Sequence, residues 1–322
     1  MSPALRWLRR WGISFASLGG GILTLFVFRR GLPHVAWIIG YLLLLWLLWA
    51  LVTQMRSTPH PLVATAMDYT VQTLYHGLLL FVLPAYYAAA TLSSVNVVFV
   101  ALLVALVLLA TFDPWYAALV HPRPWLGGAF FVISIFAALN VALPLLGVRP
   151  YVALLLSAWA AVVAVTPAVR GALAWSWSGA ALATGVVGIV AAALVSVGCI
   201  VVPPAPLFVA RANLGWTVAA VDSPAPITSA IRTDELRTRG LTAYTAIYAP
   251  AGLRQPVAHV WKQEGRVRDI VSFSAVAGGS REGFRTWSRK TAFPADPLGR
   301  WTVDVMTTSG QLIGRLTFRV IA

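Results

Sequence analysis

The sequence has few charged residues, few lysines and almost no cysteine. Only 11% of its 322 residues are charged, whereas soluble domains carry about 25%. This shortage excludes a soluble enzyme of ordinary design. The single cysteine, Cys199, excludes an internal disulfide and any zinc site built from several cysteines. Lys262 and Lys290 are the only lysines, so arginine supplies most of the positive charge.

Hydrophobic residues, in contrast, are abundant. They make up 59% of the chain, and the mean hydropathy is +0.79. The formal net charge of +14 would suggest nucleic-acid binding in a soluble protein. In a membrane protein the same excess has a simpler cause, because basic residues flank the spans and face anionic lipid. We therefore predict an integral membrane protein whose partner is the lipid bilayer, without nucleic-acid binding.

The density of charge changes after residue 202. Residues 1–202 contain 9 basic and 2 acidic side chains, and residues 203–322 contain 15 and 8. The boundary carries the sequence Pro203-Pro204-Ala205-Pro206, which cannot continue a helix. The predicted organisation is a polytopic transmembrane helical domain at 1–202, a proline-containing linker at 203–215 and a β-sandwich domain at 216–322.

Seven apolar runs approach the roughly 20 residues that a membrane span needs. They are Trp11–Phe28, Val35–Thr53, Tyr69–Leu92, Val95–Phe112, Trp125–Leu146, Tyr151–Val169 and Ala174–Val202. The short loops carry six arginines on one side and four on the other, which favours a cytoplasmic N-terminus. Seven spans then place the C-terminal domain in the periplasm, so the predicted location is a bacterial inner membrane.

One predicted span carries polar residues at helical spacing. Asp68, Gln72 and His76 recur every four residues and therefore share one helical face. An ionisable group within the bilayer costs about 2.5–3.5 kcal/mol, which makes it a functional candidate. One interpretation is a proton or ion pathway along this helix. The alternative is that Asp68 begins the helix at the interface and His76 is hydrogen-bonded inside the bundle.

A short interfacial helix is predicted after the fourth span. Asp113 followed by Pro114 is typical of a helix N-cap with proline at the first helical position. The helix would cover Trp115–Val120 and end at His121-Pro122. A cap and a loop histidine account for Asp113 and His121 without a ligand. We therefore predict no metal site and no cofactor.

The C-terminal part changes from helical to alternating periodicity. Alternating apolar residues at 301–305 and 316–320 flank the turn Thr308-Ser309-Gly310, which predicts a hairpin. Further strands are predicted at 241–249, 257–262, 267–276 and 283–290. Short strands at this spacing, without a helix among them, predict an all-β, antiparallel sandwich like an immunoglobulin or fibronectin module.

A basic and aromatic segment is the most distinctive part of this domain. On a strand, Arg281, Arg285, Trp287 and Arg289 share one face, and with Lys290 they form a candidate binding surface for an acidic polymer, a lipid headgroup or a protein. The alternative is a cation–π ladder that closes the sheet. The domain carries no nucleophile motif and no glycine-rich phosphate loop, so we predict that the protein is not an enzyme.

Several motifs of this region carry a family resemblance. They are Ala210-Arg211-Ala212, His259-Val260-Trp261, Phe284-Arg285-Thr286-Trp287-Ser288 and Gly299-Arg300-Trp301-Thr302-Val303. Together they resemble the bacterial domain-of-unknown-function family 2914 over about residues 207–322, with Arg211, His259, Trp261, Trp287 and Trp301 as the motif residues. Gly283-Phe284 stands where members often have Arg-Trp. The helical half is similar in layout to a membrane region that accompanies this domain. The resemblance implies a fold and a compartment but no reaction.

Two functions remain open at this stage. In the first, a non-enzymatic membrane protein presents a β-sandwich that binds a protein partner or an envelope component, as a subunit of a membrane complex. In the second, a proton- or ion-coupled transporter uses Asp68, Gln72 and His76. The two hypotheses place the functional residues in different halves of the chain.

Overall fold

The computed structural model describes residues 35–54, 61–217, 230–280 and 282–322. The first predicted span, Trp11–Phe28, and Arg281 of the candidate surface lie outside these ranges. The chain divides into two compact units. The first unit contains residues up to Ala85, Phe99–Leu143 and Val152–Gly198, and the second contains Tyr86–Val98, Pro144–Tyr151 and Cys199–Ala322.

The N-terminal half is helical. Within the described residues its helices are α1 (Val35–Gln54), α2 (Pro61–Ala89), α3 (Val97–Thr111), α4 (Asp113–Leu119), α5 (Pro124–Leu145), α6 (Pro150–Val163), α7 (Thr166–Leu173) and α8 (Trp177–Val197). Among the residues that the structure describes, three segments are long and apolar enough to cross a membrane: Pro124–Leu145, Pro150–Leu173 and Trp177–Val197. Helices α3 and α4, bent by 104°, make a fourth if they form one span. The full set of seven spans stays a prediction.

The predicted sixth span is interrupted by proline. Helix α6 ends at Val163 and α7 begins at Thr166, with Pro167 in its first turn. Because Pro167 has no backbone N–H, it cannot bond the carbonyl four residues earlier, at Val163. The hydroxyl of Thr166 donates to that carbonyl at 2.6 Å instead. A local side-chain donor thus satisfies a carbonyl that the proline leaves without its helical partner.

Small residues let α8 approach its neighbours closely. Thr184 contacts Thr166 at 2.7 Å between the two hydroxyl oxygens, and Gly188 lies against Trp159 of α6. The outer residues of α8 are apolar and exposed, as lipid contact requires. Thr184 and Gly188 of α8 therefore serve packing within the chain.

The C-terminal region is rich in β-structure. Its strands are β1 (Phe208–Gly215), β2 (Ala230–Arg232), β3 (Leu241–Tyr248), β4 (Arg254–Gln255), β5 (Val257–Gln263), β6 (Arg266–Ser272), β7 (Val276–Ala277), β8 (Phe284–Lys290), β9 (Gly299–Thr307) and β10 (Leu312–Ile321). They form a three-stranded sheet in the order β1-β3-β8, a five-stranded sheet in the order β2-β10-β9-β5-β6, and the pair β4-β7.

One hydrophobic core receives side chains from both larger sheets. Leu241 and Ile247 come from β3, and Trp261, Trp301 and Phe318 come from the five-stranded sheet. Phe318 stacks on Trp301 with 6.0 Å between ring centroids and meets Trp261 edge-on at 6.4 Å. Truncating a buried aromatic of this size typically costs 3–5 kcal/mol. The apolar residues that alternate along the predicted strands, Trp301 and Phe318 among them, therefore lie in this core.

The strand predictions hold with two corrections. The hairpin of β9 and β10 is present, and its strands are antiparallel. The predicted strand at 267–276 is two strands, β6 and β7. Strand β2 pairs in parallel with β10, so the region is not purely antiparallel. The immunoglobulin-like sandwich stays a prediction.

A helix also lies among the strands, contrary to expectation. Helix α9 (Thr233–Arg239) has acidic residues in its first turn and arginines in its last. Both complement the helix dipole, and Gly240 ends the helix at φ +66°. With only seven residues the helix is too short to show a clear period, and this is why the pattern missed it.

The closeness of α6 and α8 gives a testable prediction. A Cβ at position 188 would lie 2.9 Å from Cδ1 and 3.0 Å from the carbonyl oxygen of Trp159, whereas a Cβ at 185 would meet nothing within 4 Å. Gly188→Ala should lower the free energy of unfolding by roughly 1–3 kcal/mol through overpacking. Thermal unfolding of the full chain in detergent measures this change. Gly185→Ala is the control, and equal melting temperatures for the two variants would contradict the packing.

Candidate functional site

The outer face of the three-stranded sheet gathers the exposed residues of β8. Arg285, Trp287 and Arg289 are exposed, and the residues between them are buried. The register places Arg285 opposite Ala246 of β3 and Trp287 opposite Tyr244. Directly opposite residues share a face of the sheet. Arg285 and Trp287 therefore border the middle strand on its outer side.

Strand β1 completes this face from the other side. Arg211 also lies opposite Ala246, and Asn213 lies opposite Tyr244. Arg211 and Arg285 therefore flank Ala246, one on each neighbouring strand. We call Arg211, Arg285, Trp287 and Arg289 the arginine face. Sequence reasoning quoted Arg211 as a motif residue but did not place it beside β8, because only the strand order joins them.

The contacts of the arginine face within the fold include an exposed ion pair and a hydrogen bond to the backbone. Arg285 pairs with Glu282 at 3.3 Å, but both side chains are more than half exposed, so the pair adds little stability. Arg289 donates to the carbonyl oxygen of Arg239 at 3.1 Å. Trp287 is 50% exposed. A planar guanidinium with five donors matches a carboxylate or a phosphate, so this face suits an acidic ligand.

Lys290 does not belong to the exposed surface. Strand alternation turns it inward, where its side chain is 8% exposed and its Nζ lies 2.8 Å from Oδ2 of Asp269. The hydrogen bond from Lys290 lowers the pKa of Asp269. The inclusion of Lys290 in the candidate surface is thus corrected, because it occupies the opposite phase of the strand from the three exposed side chains.

The inward side of β8 joins a buried hydrogen-bond network. Nδ1 of His259 lies 2.9 Å from Oγ of Ser288, and Nε2 lies 2.9 Å from Oγ1 of Thr245. Thr245 in turn contacts Thr286 at 2.8 Å between hydroxyl oxygens, and the indole of Trp261 donates to Ser288 at 3.1 Å. The network links β5 of the five-stranded sheet to β3 and β8 of the three-stranded sheet.

The motif residues therefore divide by the face they occupy. His259 and Trp261 are 0% exposed, and Trp301 donates from its indole to the carbonyl oxygen of Pro297 at 2.7 Å inside the core. These three residues support the fold. The pair His259 and Ser288 has the composition of a nucleophile and base, but both side chains are buried under the sheets. Arg211 and Trp287 are the outward members of the motif set.

A second charged cluster lies at the middle of β9. Asp304 is 1% exposed and accepts hydrogen bonds from Arg315 at 2.5 and 2.9 Å and from Lys262 at 2.7 Å. Burial alone would raise the pKa of Asp304, but the hydrogen bonds from Arg315 and Lys262 lower it overall. Arg315 also donates to the carbonyl oxygen of Ser93 in the same unit at 3.1 Å. Opposite charges on the two strands of the predicted hairpin were the sequence signal for this cluster.

The polar residues of α2 are not equivalent. Asp68 is exposed, whereas Gln72 and His76 are buried. The amide of Gln72 donates to the carbonyl oxygen of Ala110 at 3.0 Å and to Oδ1 of Asp113 at 2.8 Å. The contact with Asp113 was missed by sequence reasoning, because the two residues are 41 positions apart.

The bend between α3 and α4 explains the contacts of Gln72. The carbonyl of Ala110 would normally bond the N–H of residue 114, but Pro114 has none. Gln72 supplies the missing donor. The N-cap of α4 is Phe112, and Asp113 is the first helical residue, so the predicted N-cap was wrong by one position. These contacts favour a structural role for Gln72, and the ion pathway stays a prediction.

Metal binding finds no support in the described ranges. There, no group of three or more His, Cys, Asp or Glu side chains comes close enough to hold a metal ion. Cys199 donates from its thiol to the carbonyl oxygen of Ser309 at 3.5 Å. The arginine face is therefore the candidate site with the clearest chemistry.

The described chain thus combines an apolar helical N-terminal region with a β-rich C-terminal region. The model of the family described as "Family of unknown function (DUF5924)" matches residues 3–243, and the chain belongs to this family. The model described as "Protein of unknown function (DUF2914)" matches residues 254–320, which confirms the resemblance found in the motifs. Arg211 lies in the first match and not in the second. No curated protein and no solved structure matches the chain.

The buried histidine predicts a pH dependence of stability. Burial lowers the pKa of His259 to about 4, whereas an unfolded histidine has a pKa near 6.5. As the pH falls from 6.5 to 4 the unfolded state takes up the proton first, so stability is lost across this window. The total loss from this group is roughly 3 kcal/mol. Hydrogen exchange in β5 and β8 of the full chain, corrected for intrinsic rates, measures it.

The control is His259→Gln, which cannot titrate. Its stability should be lower at pH 7, because the buried hydroxyls lose a partner, but nearly constant between pH 6.5 and 5. The interval above pH 5 is chosen because Asp269 and Asp304, whose pKa values are lowered, titrate below it. An equal slope in both proteins would rule out His259 as the cause.

The bend between α3 and α4 gives a further prediction. Gln72→Leu keeps the volume but removes the donor to Ala110 and Asp113, so it should cost about 1–3 kcal/mol of stability. The melting temperature of the full chain in detergent should fall. Thr73→Val is the matched control, since Thr73 is exposed and bonds only its own helix at Tyr69. A similar fall for both variants would contradict the role of Gln72.

Proposed function

We propose that the chain is a non-enzymatic membrane protein whose β-rich region binds an acidic ligand through the arginine face. The ligand is a protein partner or an envelope component that carries carboxylate or phosphate groups. One observation carries the proposal: Arg211 and Arg285 flank Ala246 from two different strands, with Trp287 and Arg289 beside them on the same face. Arg211, which is distant in sequence, thus lies in the same patch as the exposed residues of β8.

The chemistry of the patch supports binding more than folding. Arginine and tryptophan are enriched at interfaces and in their energetic hot spots. The inward residues of β8 already join the core and the hydrogen-bond network. The outward residues contact solvent instead, and Trp287 leaves half of a large apolar surface exposed. A ligand that covers Trp287 would remove that surface from water.

The helical half would serve as the anchor. In this proposal the chain crosses a bacterial inner membrane seven times, with a cytoplasmic N-terminus and an immunoglobulin-like domain in the periplasm. The three membrane-length helices support the anchor in its coarser form. A protein complex of the envelope would use such a chain as an accessory or assembly subunit.

The contacts of the other polar groups argue against chemistry elsewhere in the chain. His259 and Ser288 are buried under two sheets, and each makes its hydrogen bonds within the network. Gln72 satisfies a backbone carbonyl at a helix bend. Both sets of contacts have structural explanations, so neither favours an enzyme or a transporter over a binding protein.

Charge reversal of the face tests the proposal. A photo-reactive amino acid at position 287 of the full chain, in native membranes, should crosslink to the ligand. Arg285→Glu with Arg289→Glu should reduce the yield at least tenfold, because each lost charged hydrogen bond is worth about 1.5–3 kcal/mol. The matched control is Arg300→Glu with Arg319→Glu, an exposed arginine pair on adjacent strands of the five-stranded sheet.

The same experiment also tests the alternative function, an ion-coupled transporter that uses Asp68, Gln72 and His76. Asp68→Asn with His76→Gln should leave the crosslinks unchanged. If those replacements abolish the physiological activity while reversal of Arg285 and Arg289 has no effect, the ion-coupled interpretation replaces this one. Equal losses in the face variant and in the control pair would also contradict the proposal, because they would show a general charge effect.

A further inference from the structure

Strand β8 lies at an edge of its sheet. Within the described ranges, the strand order β1-β3-β8 gives it one neighbour in the sheet, β3. Edge strands offer backbone N–H and C=O groups to another chain, and proteins usually protect them with bulges, proline, short length, charged side chains or a covering helix or loop. An edge guarded by charge repels strands of like charge but remains a candidate for addition of a strand of opposite charge.

Bulges or short length protect the other edges of the two larger sheets, whereas the described part of the chain shows β8 guarded by its charges. The register of β1 is shifted between Val209 and Arg211, that of the β5–β6 pair at Trp261, and β2 has only three residues. Strand β8 pairs with β3 over seven residues without a shift and without proline. The inward charge of Lys290 is neutralised by Asp269. Arg285 and Arg289 are therefore the charges that an added strand would meet.

The outward side chains of β8 define what an added strand would carry. They are Arg285, Trp287 and Arg289, at positions i, i+2 and i+4 of the strand. An added strand places its own outward side chains beside them with the same two-residue period. Acidic residues next to the arginines and an apolar residue next to Trp287 would give favourable cross-strand pairs.

A second copy of the chain does not fit this edge. Two antiparallel β8 strands centred on Trp287 would place Arg285 of one copy opposite Arg289 of the other. Like charges in directly opposite positions destabilise a strand pair. The charge of the strand thus favours a partner of opposite charge over self-pairing in this register.

We propose that β8 accepts an extended acidic segment of a partner protein as an additional strand of the three-stranded sheet. The segment has acidic residues two positions on either side of an apolar residue. This inference rests on the proposed function, since it uses the same arginine face, and it names the ligand as a polypeptide bound through its backbone. Affinity comes from the backbone hydrogen bonds, and selectivity comes from the arginines and Trp287.

A labelled peptide, Thr-Glu-Thr-Leu-Thr-Glu-Thr, tests the inference with the full chain in detergent. Fluorescence anisotropy should show binding, and the peptide with Lys in place of both Glu should bind at least tenfold more weakly. Arg285→Glu with Arg289→Glu should reverse that preference. The control pair Arg300→Glu with Arg319→Glu should not. Arg285→Gln with Arg289→Gln, which adds no new charge, serves if the reversed protein does not fold.

Backbone methylation separates strand addition from simple charge attraction. In an added strand only alternate residues bond the neighbouring strand. N-methylation of the Thr residues and N-methylation of the Glu and Leu residues should therefore differ, one set weakening binding at least tenfold and the other sparing it. Equal binding of both methylated peptides, with the arginine dependence intact, would overturn the inference and leave the proposed function standing.

The remaining outcomes are also distinguishable. Peptide binding that does not depend on Arg285 and Arg289 would overturn both proposals for this face. Binding of phosphatidylglycerol vesicles in place of the peptide would assign the face to lipid and overturn strand addition. An arginine-dependent dimer of the chain, formed without peptide, would assign the edge to a second copy and overturn it as well.

Discussion

The hydrogen bonds of His259 to Thr245 and Ser288 hold the two larger sheets of the β-rich region together. They fix the phase of β8, because Ser288 can reach His259 only if the even-numbered residues of the strand point inward. That phase turns Arg285 and Trp287 outward, and a slip of one residue would exchange the two sets. The arginine face therefore depends on a neutral histidine in the core beneath it.

The helical half follows a comparable rule at its proline breaks. Pro114 and Pro167 each leave a carbonyl four residues earlier without its helical donor. Gln72 supplies a donor to Ala110 from another helix, and Thr166 supplies one to Val163 within its own turn. In an apolar surrounding an unsatisfied carbonyl is costly. Gln72 and Thr166 are thus explained by backbone geometry before any transport function is invoked.

The sequence patterns correctly predicted the β9–β10 strands and the hairpin between them, because these features depend on local periodicity. The alternation of Trp301, Val303 and Val305 gave the core strand, and the turn at Ser309 gave the hairpin. The same patterns could not show that Arg211 lies across β3 from Arg285, because strand order is set by packing between distant segments. Lys290 was misassigned for a related reason: its neighbours in sequence face outward, but its own phase and its partner Asp269 place it inside.

The described ion pairs of the β-rich region bring acidic side chains to its buried cations. Both lysines are used inside the β-rich region, Lys262 with Asp304 and Lys290 with Asp269. Asp304 also binds Arg315, so one buried carboxylate serves two cations. The whole chain has 10 acidic residues against 24 basic ones, and on the arginine face Glu282 pairs with Arg285. An acidic ligand would add negative charge to this face, which is the role that the proposed function gives it.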